Sequence, residues 1–119
     1  MKKIMIIDDE LDILDILERF LSKNHNYEVT SYSNPIDALE GAKRNNYDLI
    51  LSDIMMPEVS GMDILKEIKD LNRNTKIILM TAYSTDSKVQ TADQLNVDAF
   101  IDKPFVDLKF VQKTISSLI

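Results

Sequence analysis

The sequence predicts an α/β fold, a doubly wound (βα)5 sandwich built on a five-stranded parallel sheet in the order 2-1-3-4-5. Three observations carry this. Short runs rich in Ile, Val and Leu recur at Lys3–Ile7, Leu49–Leu51, Lys76–Met80 and Ala99–Ile101, as expected of strands covered on both faces. Between them lie stretches whose apolar residues repeat at the helical period. The two kinds of segment alternate along the whole chain, and right-handed crossovers leave few topologies for such an alternation, of which this strand order is a common one.

Each element has its own signal. Lys3–Ile7 is the first strand, and Leu11–Lys23 follows as a helix with Ile13, Leu14, Leu17, Phe20 and Leu21 on one side. Glu28–Tyr32 is a weaker, more polar strand suited to a sheet edge. Ser33–Asn45 reads as a helix in which Asn34 is the N-cap and Pro35 the first helical residue. After the strand at Leu49–Leu51, Met62–Leu71 repeats Ile64, Leu65, Ile68 and Leu71. The strand Lys76–Met80 leads to a weaker helix at Asp86–Leu95, with Asn96 placed for a left-handed C-cap. Ala99–Ile101 is the last strand, and Val106–Leu118 the last helix, carrying Leu108, Val111, Ile115 and Leu118.

Residues 1–119 make one domain of ordinary size, without a linker, repeat or biased tract, and long enough for a single core. A formal net charge of -6 argues against non-specific nucleic-acid binding and against a basic membrane patch. The absence of cysteine excludes disulfides, thiolate metal sites and cysteine nucleophiles. No apolar run approaches a membrane span, and MKKIMIID lacks a signal peptide's cleavage pattern, so a cytoplasmic location is expected. His25 is the single histidine and lies in the polar turn KNHNY, which leaves no Ser-His-Asp triad and no histidine metal cluster.

The chemistry gathers at one edge. Ligands of open parallel sheets bind beyond the carboxyl ends of the strands, where the strand order reverses between the first and third. The first strand delivers Asp8 and Asp9 there, the third Asp53, the fourth Thr81, and the fifth is followed by Lys103. Three clustered carboxylates repel one another and favour a cation. Mg²⁺ suits them, because it takes oxygen ligands, needs one or two carboxylates and shares its other positions with water and phosphate. Acids ahead of a helix are also common N-caps, and Asp9 or Glu10 taken singly reads equally well as the cap of Leu11–Lys23. Five polar groups converging on one edge do not. Spacing alone thus reaches a Mg²⁺ site beside a lysine, handling phosphate, with the reaction open.

The ordered motifs IIDDE, DIMMPEVSG, MTAY and DKPF resemble the receiver domain of two-component response regulators, in order and spacing along essentially the whole chain. The flavodoxin-like strand order above is that of chemotaxis members of this family. The resemblance implies that Asp53 is the phosphoacceptor, receiving a phosphoryl group from a phosphohistidine on a sensor histidine kinase or a histidine phosphotransfer protein. It implies that Mg²⁺ is held directly by Asp9 and mostly through water by Asp8, with Asp53 and the backbone carbonyl of Met55 completing the protein ligands. Lys103 would pair with one phosphoryl oxygen and the Thr81 hydroxyl with another. Phe100 would be the aromatic switch residue, and Pro104 would follow Lys103 through a cis peptide. Met55 and Tyr83, two residues beyond Asp53 and Thr81, would tune access of the hydrolytic water. The output face would comprise Asp86–Leu95, the last strand and Val106–Leu118, with a phosphorylation-dependent homodimer among its expected partners.

Two positions depart from the family pattern. Asn96-Val97 stands where Gly-Ala is usual, and asparagine tolerates the left-handed geometry. Phe100 replaces a frequent tyrosine and offers no hydroxyl. Receivers generally meet their kinases on the first helix, where Ile16, with Ile13, forms an expected apolar docking patch beside Asp12 and Arg19. Two other readings compete. A Mg²⁺-dependent phosphatase with an aspartyl nucleophile would want a D-x-D motif, whereas Asp8 is followed by Asp9-Glu10. A receiver-fold adaptor that is not phosphorylated should lack one of the key residues, and this chain has them all.

Overall fold

The computed structural model describes residues 1–53, 61–71, 74–81, 97–102 and 108–119. Its elements run β1 (Lys2–Ile7), α1 (Leu11–Ser22), β2 (Tyr27–Tyr32), α2 (Pro35–Arg44), β3 (Leu49–Asp53), α3 (Gly61–Leu71), β4 (Lys76–Thr81), β5 (Ala99–Asp102) and α4 (Leu108–Leu118). The predicted helix Asp86–Leu95, with Asn96, lies outside the described residues. So do Met55, Tyr83, Lys103 and Pro104.

All five strands pair in parallel in the order β2-β1-β3-β4-β5. The period of two along each strand divides the core into two layers. Ile4, Ile6, Leu49, Leu51, Ile78, Met80 and Ile101 face one side, against Leu14, Leu17 and Leu21 of α1 and Val111 and Ile115 of α4. Met5, Ile7, Ile50, Ile77 and Leu79 face the other, against Ala38 and Leu39 of α2 and Leu65 and Ile68 of α3. Burial on both sides explains why these strands read as unbroken apolar runs. The edge strand β2 is only partly covered, in keeping with its polar sequence. Its Ser31 hydroxyl donates to the Glu18 carboxylate at 2.7 Å and ties the edge to α1.

β3 extends two residues past the run Leu49–Leu51. Ser52 is in register with Ile7 of β1, and Asp53 with Met80 of β4. Hydropathy cannot see a strand end made of serine and aspartate; ladder partners on both sides hold it there. The cap of α2 follows the sequence: Asn34 Oδ1 accepts the Ile36 N–H at 2.8 Å, and Pro35 opens the helix. That bond satisfies one of the helix's unpaired amide donors.

Gly41, inside α2, is buried under the half-buried Tyr32 ring. A Cβ added there would stand 2.8 Å from Tyr32 Cζ and closer still to its hydroxyl. Alanine would gain about 1 kcal/mol of helix propensity over glycine. Overpacking costs about 1–3 kcal/mol, so the clash should prevail. Gly41→Ala is therefore expected to lower the urea midpoint with an unchanged slope, and Tyr32→Leu should remove most of that penalty. A higher midpoint for Gly41→Ala alone would show that the Tyr32 ring gives way freely.

Candidate metal centre

β1 and β3 are neighbours, and their last paired residues are Ile7 and Ser52. One step further along each strand stand Asp8 and Asp53. Parallel pairing in this register thus brings two acids, distant in sequence, to the same edge. Asp8 is fully buried and Asp53 is 6% exposed. The backbone fixes the turn after β1 at both ends. The Asp8 N–H donates to the Tyr32 carbonyl at 3.1 Å, and Asp8 Oδ1 accepts the Glu10 N–H at 2.9 Å. The second bond is an Asx-type closure of a two-residue step, a habit of aspartate where a strand gives way to a helix.

Around this turn, one carboxylate oxygen from each of Asp8, Asp9, Glu10 and Asp53 lies within 4.8 Å of the others. Two of the acids are buried and two, Asp9 and Glu10, are exposed. At such a separation a pair of unit charges repels by about 1 kcal/mol in bulk water and about 3 kcal/mol at the effective dielectric of a protein surface. Four such groups in one place favour a cation strongly. The donor set consists of hard carboxylate oxygens, two of them on exposed residues, which fits Mg²⁺, an ion that retains several waters.

Among the residues named from the sequence, Asp8, Asp9 and Asp53 come together. Thr81 is the last residue of β4, in register with Asp102 of β5. Phe100 pairs in register with Leu79 and is half-buried against the layer that α2 and α3 cover. The sequence reading missed one member, Glu10. Its N-cap position had a sufficient explanation in helix capping, and it does occupy that position. Its side chain, however, makes no capping hydrogen bond. The signal available was the run of three consecutive acids at a strand end.

Comparison with known proteins identifies the family and agrees with the fold. The family model described as the response regulator receiver domain matches residues 4–115. The regulatory protein VanR of Enterococcus faecium is 36% identical over 116 residues, covering 98% of this chain and 49% of that protein. The response regulator SaeR of Staphylococcus epidermidis is 36% identical over 114 residues, covering 96% and 49%. The chain therefore spans about half the length of these curated relatives. Among solved structures, the response regulator TrrA of Thermotoga maritima, in complex with Mg²⁺ and BeF, superposes with a TM-score of 0.86 at 31% identity, over 100% of both chains. The chemotaxis protein CheY4 of Vibrio cholerae superposes with a TM-score of 0.89 at 25% identity, over 100% of this chain and 99% of that one. An acid cluster at the switch point of a 2-1-3-4-5 sheet, within a match spanning almost every residue, places this chain in the receiver domain family of two-component response regulators.

Proposed function

We propose that residues 1–119 form one receiver domain whose switching depends on phosphorylation of Asp53. The observation that carries this reading is the place of Asp53: a buried carboxylate ending β3, within 4.8 Å of three further carboxylates. In the reaction, a carboxylate oxygen of Asp53 attacks the phosphorus of a phosphohistidine on a sensor kinase or phosphotransfer protein. The new O–P bond forms as the N–P bond breaks, and the electron pair leaves with the imidazole nitrogen, which takes up a proton. Hydrolysis of the acyl phosphate, with water as nucleophile, returns the carboxylate and inorganic phosphate. Asp8, Asp9, Asp53 and the Met55 carbonyl would hold Mg²⁺, which when bound neutralises charge on the carboxylates and on the phosphoryl oxygens. Lys103 supplies a second positive group toward the phosphoryl oxygens. A Mg²⁺–BeF complex of the relative TrrA supports the choice of cation and of a phosphate-like ligand.

The readout assigned to Thr81 and Phe100 has to satisfy an energy requirement. A hydrogen bond from the Thr81 hydroxyl to a charged phosphoryl oxygen contributes about 1.5–3 kcal/mol. Moving a two-state surface from 1:99 to 99:1 takes about 5.5 kcal/mol. Thr81 alone therefore falls short, and Lys103 together with repacking of Phe100 supplies the rest. Phe100 is half-buried already, so it has both a core contact to exchange and a route to solvent. A cytoplasmic location fits this reading; among the described residues no helix is long and apolar enough to cross a membrane.

The test is direct. Incubated with acetyl phosphate and Mg²⁺, the protein should gain the mass of one phosphoryl group, and EDTA should prevent it. Absence of labelling under both conditions, or labelling indifferent to EDTA, would overturn the proposal.

A further inference from the structure

The end of the sheet opposite the acids carries a polar cavity of about 70 Å³, lined by Lys3, Glu28, Thr30, Asn45 and Tyr47. Lys3 precedes Asp8 by five residues on β1, which separates the cavity from the acid cluster by roughly 16 Å. We propose that this cavity binds a small zwitterion of the amino-acid class, about the size of glycine, with its carboxylate toward Lys3 and its ammonium toward Glu28. The inference is independent of phosphorylation at Asp53.

Charge, room and rigidity support it. Lys3 and Glu28 are register partners on neighbouring parallel strands, so their side chains leave the same face of the sheet. Both line the cavity, and among the described residues no ion pair joins them. A ligand of one charge would meet a like charge in this space, whereas a zwitterion meets an opposite charge at each end. Thr30, Asn45 and Tyr47 add two hydroxyls and a carboxamide, each able to donate and to accept. Burial pushes the Tyr47 phenol above its ordinary pKa, and the Thr30 hydroxyl is its hydrogen-bond partner. One water needs about 10–15 Å³ of such volume, so the cavity has room for roughly five non-hydrogen atoms, as in glycine.

The walls are held from behind. The Lys3 N–H donates to Asp48 Oδ2 and the Asp48 N–H to the Lys3 carbonyl, both at 2.8 Å. The Thr75 hydroxyl donates to the Tyr47 carbonyl at 2.8 Å, and the Asn45 N–H to the Gly41 carbonyl at 3.0 Å. A site already fixed in shape loses little affinity to ordering.

The test is a glycine titration of the whole chain at fixed ionic strength, followed by backbone amide NMR. Acetate and methylammonium, each carrying one half of the zwitterion, serve as comparison ligands. For a ligand this small a Kd of about 1–10 mM is expected. Glycine should shift the amides of Lys3, Thr30, Asn45 and Tyr47 saturably, and leave those of Asp8, Asp9 and Asp53 in place. Acetate and methylammonium should each bind at least about tenfold more weakly. Lys3→Gln and Glu28→Gln should each weaken glycine binding about five- to tenfold, as expected for the loss of one charge-assisted contact. Absence of saturable shifts up to about 50 mM glycine would overturn the proposal. Equal binding of either comparison ligand would overturn the zwitterion assignment, and unchanged glycine binding in both variants would place the contact elsewhere. The ligand comparison needs only the wild type, so it decides the matter even where a variant fails to fold.

Discussion

Asp53→Asn should eliminate labelling by acetyl phosphate, lowering the rate by at least about 10³-fold, because the amide keeps the shape of the side chain but is no nucleophile. The loss should be as complete with a cognate kinase as donor, since both reactions end on the same oxygen. Stability should move the other way or not at all. Asp53 is buried among three other carboxylates, and replacing it removes one like charge from that group. Without Mg²⁺ the variant should melt at or above the wild-type temperature. With Mg²⁺ its advantage should narrow, because the wild type gains more from the cation than a site lacking one of its acids. Undiminished labelling of Asp53→Asn by mass spectrometry would move the phosphosite to another residue. Loss of labelling together with a collapsed melting temperature would mean that the substitution had unfolded the edge of the sheet, and the role of Asp53 as nucleophile would then be unsupported.

The parts of the fold that were legible in the sequence share one physical cause, burial on both faces. Ile4 to Ile7 are all buried, two packing into each layer, so the run reads as apolar whichever period is applied. Asn34 and Pro35 were legible because capping chemistry is local. What depended on tertiary pairing was not. Ser52 and Asp53 extend β3 because β1 and β4 offer ladder partners, which no property of the two residues announces. The close seat of Tyr32 over Gly41 joins a strand to a helix and leaves no local trace. The site was legible through topology: once the strand order was inferred, the residues following each strand had to meet. Glu10 escaped because a local explanation sufficed for it, although in the fold its side chain makes no capping hydrogen bond.

Ile16→Glu should separate the two ways of phosphorylating this domain. Ile16 is 49% exposed on α1, the helix that starts at the acid cluster and carries the position about 8 Å from its first residue. Its neighbours one turn away are Asp12 and Arg19, both exposed, and Ile13 and Phe20, both half-buried against the core. Ile13 therefore contributes only its outer edge to an apolar patch, and Ile16 is the side chain positioned to anchor a partner. Arg19 is bound to Asp15 at 3.0 Å in a pair that is largely exposed, which contributes little to stability and is readily exchanged for a partner's carboxylate. A glutamate in the middle of an apolar contact loses the anchor and adds a charge to be desolvated, together about 2–4 kcal/mol. Transfer from the kinase should fall roughly 30- to 1,000-fold in kcat/KM. Acetyl phosphate bypasses the docking surface, so its labelling rate should remain within about twofold of wild type. The melting temperature should hardly move, because an exposed helical position changes stability by at most about 0.5 kcal/mol. Arg19→Ala should give a smaller loss that fades as salt rises. Equal loss of both labelling reactions would place the damage in the helix and the acid site it leads from. Kinase transfer at the wild-type rate would place the docking surface elsewhere on the domain.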